Sequence, residues 1–220
     1  MKQIEVAAPI RGQSTRDRIL DAAEELFSKQ GVNGTSLREI TATAGVNLAA
    51  VNYHYQSKDA LLRAVIARRV GPVNERRIAR LDEIERAFAP QPPPLAPIFE
   101  ALVLPVLEMR ATAPHFVPLM GRIYVEPGEL VESLIHEHMA PVARRFLPAL
   151  QRVLPHLTFT DLLWRLHFTV GAMAHIMAGA AVIRAVGHGE TDPTDAEAVR
   201  RQLIPFLVAG FMAPAPKEAS

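Results

Sequence analysis

With 220 residues, 49% of them apolar and 21% charged, the chain has enough for one large domain or two modest ones around an ample core. It has no cysteine, which excludes disulfides and thiolate chemistry. The net charge is only +1, but residues 1–70 carry ten Lys/Arg against seven Asp/Glu, and residues 71–220 carry fourteen against sixteen. A basic head on a mildly acidic body suits a nucleic-acid reader with a separate regulatory part.

Residues 1–13 lack the apolar core of a signal peptide, so a cytoplasmic protein with a flexible N-terminal arm is expected. Ser14, with Asp17 three positions on, caps the first helix. Ile19, Ala22, Ala23, Leu26 and Phe27 form its inner stripe, and Gly31 ends it. Ser36 and Glu39 then make an S-x-x-E capping box. Leu37, Ile40 and Ala44 give the second helix one apolar stripe, and Gly45 stops it. Asn47 caps a third short helix at about 47–53. It turns Val51 inward and leaves Asn47, Leu48, Ala49 and Asn52 outside. Ser57 caps a fourth helix, whose Leu61, Leu62, Val65 and Ile66 face inward and which ends or bends at Gly71-Pro72. Two helices joined by a short turn containing glycine form the helix-turn-helix unit that offers its second helix to the major groove.

From Ser14 to Ala64 the chain resembles the TetR family of bacterial transcriptional regulators. The resemblance is carried by the Ile19, Leu20, Ala22, Ala23, Leu26, Phe27 helix, by Gly31, Thr35, Ile40, Ala44, Gly45 and Val46, and by Tyr53-His54-Tyr55 followed by Ser57-Lys58 and Leu61. The family usually has Phe where Tyr55 stands. The stretch GVNLAAVNYHY looks like a branch whose members include regulators responding to long-chain fatty acids or their CoA thioesters. The resemblance implies an all-α protein with a three-helix DNA-binding head at 14–70 and a helical ligand-binding and dimerisation body at 71–212. It also implies double-stranded operator DNA, a hydrophobic effector and a second copy of the chain as partners.

In the head, Asn47 and Asn52 suit adenine, Leu48 and Ala49 a thymine methyl, and Arg38 a guanine or a phosphate. Thr35, Ser36, Tyr53, His54 and Lys58 are expected to hold phosphates. A connector helix from about Val73 to Ala87 carries Arg76, Arg77, Arg80 and Arg86 against Glu75, Asp82, Glu83 and Glu85, and reads as a solvated, salt-bridged face. Prolines 90 and 92–94 form a stiff break.

Helices are expected at 95–112, 115–124, 128–154, 160–186 and 195–211, kinked or split where Pro105, Pro141, Pro148 and Pro205 fall. The tail at 213–220 is expected to fray. Phe99, Leu102, Val103, Val106, Met109, Phe116, Met120 and Phe168 are candidate walls of an effector cavity, with His175 as a partner for a ligand head group. Gly171, Ala174, Ala178, Val199, Leu203, Phe206 and Leu207 are candidates for a dimer interface between the last two helices. Eighteen residues between Arg165 and Arg184 carry no formal charge, at the lower edge of a membrane span, but their Ala, Gly and His content suits a water-soluble bundle better.

The eight histidines show no metal-ligand spacing, and no catalytic or cofactor-binding constellation stands out, so neither a metal, a cofactor nor an enzyme is expected. The leading reading is a homodimeric repressor released by a hydrophobic ligand such as a long-chain fatty acid or acyl-CoA. The alternatives are an activator, or an all-helical binding protein with a non-functional DNA head.

Overall fold

A computed structural model describes residues 14–124, 128–188 and 190–215. The expected arm at 1–13, and the tail beyond residue 215, lie outside the described residues. The fold is all helical, in two compact units, one ending at Arg69 and the other starting at Val70.

The first unit holds α1 (Thr15–Gly34), α2 (Leu37–Ala44), α3 (Leu48–Tyr55) and the start of α4 (Lys58–Phe88). Ser14 accepts from the Asp17 amide to open α1, and Ser36 with Glu39 forms a complete capping box on α2. Gly45, at φ +62°, takes the left-handed conformation that closes α2. Asn47 caps α3 through the Ala50 amide, and Ser57 caps α4 through the Ala60 amide. Gly31, at φ +77° and ψ 165°, leaves the helical region and breaks α1 where its end is expected, and one further turn follows to Gly34. Ile19, Ala23 and Phe27 of α1, Ile40 of α2, Val51 and Tyr55 of α3, and Leu61 and Val65 of α4 close one core.

The second unit continues α4 and adds α5 (Leu95–Thr112), α6 (Phe116–Ile123), α7 (Glu129–Val153), α8 (Phe159–Met177), α9 (Ala181–Val186) and α10 (Ala196–Met212). α10 packs along α5 and α6 against α8. At the second of these crossings a Cβ on Gly121 would meet the backbone of Ala174 at 2.8 Å and of Ala178 at 2.4 Å, so only glycine allows the approach.

Neither Gly71-Pro72 nor the later prolines end or split a helix: α4 runs through Gly71-Pro72, and Pro105, Pro141, Pro148 and Pro205 all stay inside α5, α7 and α10. Pro72, Pro141, Pro148 and Pro205 lie on exposed faces, where water can take the carbonyl that loses its helical partner. The predicted single helix at 160–186 is instead two, because Gly179 (φ +105°) and Ala180 (φ +43°) leave the helical region. Among the described residues no helix is long and apolar enough to cross a membrane.

Candidate nucleic-acid interface and apolar cavity

In the first unit, α2, the turn at Gly45 and α3 present one outward face. Arg38, Leu48, Ala49, Asn52 and His54 are exposed, and Tyr53 is 83% exposed with its ring 5.1 Å from that of His54. Asn52's side-chain amide has no partner among the described residues, so both its acceptor and its donors are available to a base edge. Asn47 is different: its Oδ1 accepts from the Ala50 amide at 2.9 Å, which commits one of its two lone pairs and holds the side chain at the start of α3.

Three of the expected phosphate ligands are already engaged within the unit. Thr35 is 2% exposed and its hydroxyl donates to the Gly31 carbonyl at 2.8 Å. The Ser36 hydroxyl and amide both donate to Glu39, whose carboxylate already occupies the start of α2. Those two bonds hold Glu39 below its ordinary pKa. The Lys58 ammonium donates to the carbonyls of Val32 and Thr35, at 2.9 and 3.2 Å, and so ties the end of α1 to the start of α4. Tyr53 and His54 keep their outward positions.

Sequence reasoning missed the supports of this face. Arg18 forks from α1 onto the last carbonyls of α2, donating to Ala44 at 3.0 and 2.6 Å and to Gly45 at 2.6 Å. A guanidinium at a helix C-terminus satisfies orphan carbonyls and complements the dipole. Arg68 and Arg69 converge on buried Glu24, fixing α4 to α1. Tyr55 is buried with its hydroxyl 3.4 Å from the Arg16 carbonyl, and burial raises its pKa. The hydroxyl that distinguishes Tyr55 from phenylalanine thus reaches a backbone acceptor.

In the second unit a cavity of about 150 Å³ lies among α4, α5, α6, α7 and α8. Leu102, Val103, Val106, Met109, Phe116 and Met120 line it, together with Val70, Val73, Met139, Phe146 and Met173. Three expected wall residues do not. Phe99 is fully buried against Phe211, ring centroids 4.7 Å apart, so it belongs to the α5–α10 packing. Phe168 is 63% exposed, and His175 is exposed as well, because both lie on the outer side of α8.

The cavity's polar groups are Arg77, Tyr124 and Thr169. Arg77 is buried, contrary to the solvated face expected for 73–87; its Nε donates to the Leu102 carbonyl and its Nη1 to Asn74 Oδ1. The neighbouring charges also pair between helices rather than along α4. Arg80 meets Glu108 of α5, and Asp82 and Glu85 meet Arg145 of α7.

The outer side of α8 and α10 carries Trp164, Phe168 and Phe206, each more than half exposed, with exposed Gly171 and Ala178 between helical turns. Leu203, Leu207 and Ala174, expected there, are buried inside the unit instead, and Val199 is half-buried. The backbone of Ala174 and Ala178 forms the internal crossing with Gly121. Among the described residues no group of three or more His, Asp or Glu could hold a metal.

Over residues 19–65 the chain matches the bacterial regulatory proteins of the tetR family, and over 100–210 the tetracyclin repressor-like C-terminal domain. Similar sequences include the HTH-type transcriptional regulator SrpR of Pseudomonas putida, 33% identical over 66% of this chain but only 61% of SrpR. The uncharacterized HTH-type transcriptional regulator TtgW, also of Pseudomonas putida, is 33% identical over 61% of this chain and 90% of TtgW. Among solved structures, a TetR-family regulator from Bordetella parapertussis 12822 superposes with a TM-score of 0.62 at 19% identity, over 92% of this chain and 96% of that one. The fatty acid degradation regulator FadR from Bacillus halodurans gives 0.67 at 12% identity, over 92% and 99%. At such identities the likeness is one of fold.

Proposed function

Since the chain belongs to the TetR family of bacterial regulatory proteins, we propose that it is a homodimeric transcriptional repressor that binds a palindromic operator and is released by a hydrophobic effector. DNA binding and transcription regulation come with the family; enzymatic catalysis does not. The observation that carries the reading is the outward face of α3, where Asn52, Tyr53 and His54 stand free on a helix whose start is capped and whose neighbours are pinned by Arg18 and Lys58. Asn52 reads a base edge; Tyr53, His54 and Arg38 contact the backbone around it.

The exposed Trp164, Phe168 and Phe206 favour a second copy as the partner of α8 and α10, because a lone protomer leaves that apolar surface wet. The cavity is the effector site. α4 runs from Lys58, which holds the Val32 and Thr35 carbonyls at the end of α1, to Val70, Val73 and Arg77 in the cavity wall. An effector that binds better with α4 displaced shifts the population toward a state whose reading helices miss successive grooves.

Size bears on the effector. A space of about 150 Å³ holds a single ring or a short chain, so a long acyl chain or its CoA thioester enters only if the walls part. The test of the DNA reading is the affinity of the full chain for duplex DNA as a function of salt. A log–log slope of several negative units is expected, and absent or salt-indifferent binding would remove the reading.

A further inference from the structure

The cavity wall holds a charge that nothing among the described residues balances. Arg77 is 8% exposed, and among the described residues no carboxylate pairs with it, whereas Arg80 and Arg145 each meet one. Its Nε donates to the Leu102 carbonyl at 2.8 Å and its Nη1 to Asn74 Oδ1 at 3.0 Å. Nη2 is left without a protein acceptor among the described residues. Asn74 in turn donates to the His138 carbonyl, so the guanidinium is held in place from α4, α5 and α7. A buried cation without a counter-charge is strongly unfavourable, and burial depresses the pKa of Arg77 for that reason.

Tyr124 lines the same space, and among the described residues its hydroxyl reaches only the sulfur of Met139, at 3.2 Å. Thioether sulfur is a weak acceptor, so that O–H turns readily to a better one. Every other lining residue apart from Thr169 is apolar, and Thr169 donates to its own helix at Arg165.

We propose that the cavity is a carboxylate site whose ligand is a compact hydrophobic monocarboxylate of about one ring or six carbons. Its anion takes the free edge of the Arg77 guanidinium and the Tyr124 hydroxyl, and its apolar part lies among Val106, Met109, Phe116 and Met173. A phosphate or other multiply charged head group is disfavoured, because Arg77 is the one cation among the described lining residues. The proposal rests on the cavity being the effector site of the regulator described above.

The test is calorimetric titration of the full chain, without DNA, with phenylacetate and hexanoate and with their primary amides, which match them in shape but carry no charge. The carboxylates should bind about tenfold or more tighter than the amides, the difference expected for a hydrogen bond to a charged group. Arg77→Gln should bring that ratio close to one, and Tyr124→Phe should lower it severalfold. Amides that match the carboxylates on the unaltered protein, carboxylates that fail to bind, or an anion preference that survives Arg77→Gln would overturn the proposal. If Arg77→Gln fails to fold, the ratio on the unaltered protein decides. Because DNA is absent from the titration, its failure leaves the operator reading standing, and a failure to bind DNA leaves the carboxylate site standing.

Discussion

Tyr53 and Lys58 show how differently two residues of one motif can act. Tyr53 is 83% exposed and its hydroxyl has no partner among the described residues, so Tyr53→Phe should weaken binding to all duplexes alike without changing the melting temperature. Lys58 holds the Val32 and Thr35 carbonyls, so Lys58→Met should lower stability by about 1–3 kcal/mol as well as affinity. Parallel thermal melts and anisotropy titrations separate the two effects. A Lys58→Met head as stable as the unaltered one would contradict the strut. Among base readers, Asn52→Ala should flatten preference at one or two positions per half-site by about 1–3 kcal/mol, and Asn47→Ala should act mainly through its lost cap. A selected operator logo unchanged by Asn52→Ala would rule out that role. The outward set on α3 was legible in the sequence because helical period and burial agree there. The inward turn of Lys58 was not, since it depends on which carbonyls the end of α1 brings near.

At the scale of elements, local signals read well and tertiary ones did not. Ser36 with Glu39 forms the capping box expected on α2, and Thr158 with Asp161 forms another on α8 that sequence reasoning passed over; both close on themselves within four residues. The bonds from Ser36 and Thr158 hold the two carboxylates below their ordinary values of 4.5 and 3.8. A depressed carboxylate pKa adds stability above the unfolded value and loses it as pH falls through the folded one. Below about pH 4, therefore, the starts of α2 and α8 should loosen, and at neutral pH Ser36→Ala should cost about 1 kcal/mol in urea unfolding. A Ser36→Ala midpoint that does not move would contradict this. The ends of helices were harder to read. α2, α8 and α10 are closed by Arg18, Arg110 and Arg165, which reach the last carbonyls from another helix. In sequence these look like any solvated arginine. Gly121 is a similar case: its need for no side chain comes from the α8 backbone 57 positions away in Ala178, and Gly121→Ala should destabilise by about 1–3 kcal/mol.

At the scale of the whole molecule, hydrophobic pattern indicated helices and a cavity but not which apolar side each helix keeps inside. Six of the nine expected wall residues line the cavity, while Phe99 went to the α5–α10 core and Phe168 and His175 to the outside. Leu203 and Leu207 moved the other way, from the expected interface to the interior. The remaining exposed set makes the assembly testable. Phe206→Glu should give a monomer that still folds and binds operator DNA far more weakly, because each half-site is then held separately. Leu203→Glu, by placing a charge at a 6% exposed position, should instead unfold the body. A Phe206→Glu protein that sediments as a dimer would contradict the interface. The most direct test of the regulator reading is selection of duplexes from a random pool by the full-length chain, followed by sequencing. The expected result is an inverted repeat whose half-sites lie one helical turn, or a whole number of turns, apart, bound by two copies. A pool with no enriched sequence, or a single half-site held by one copy, would contradict it.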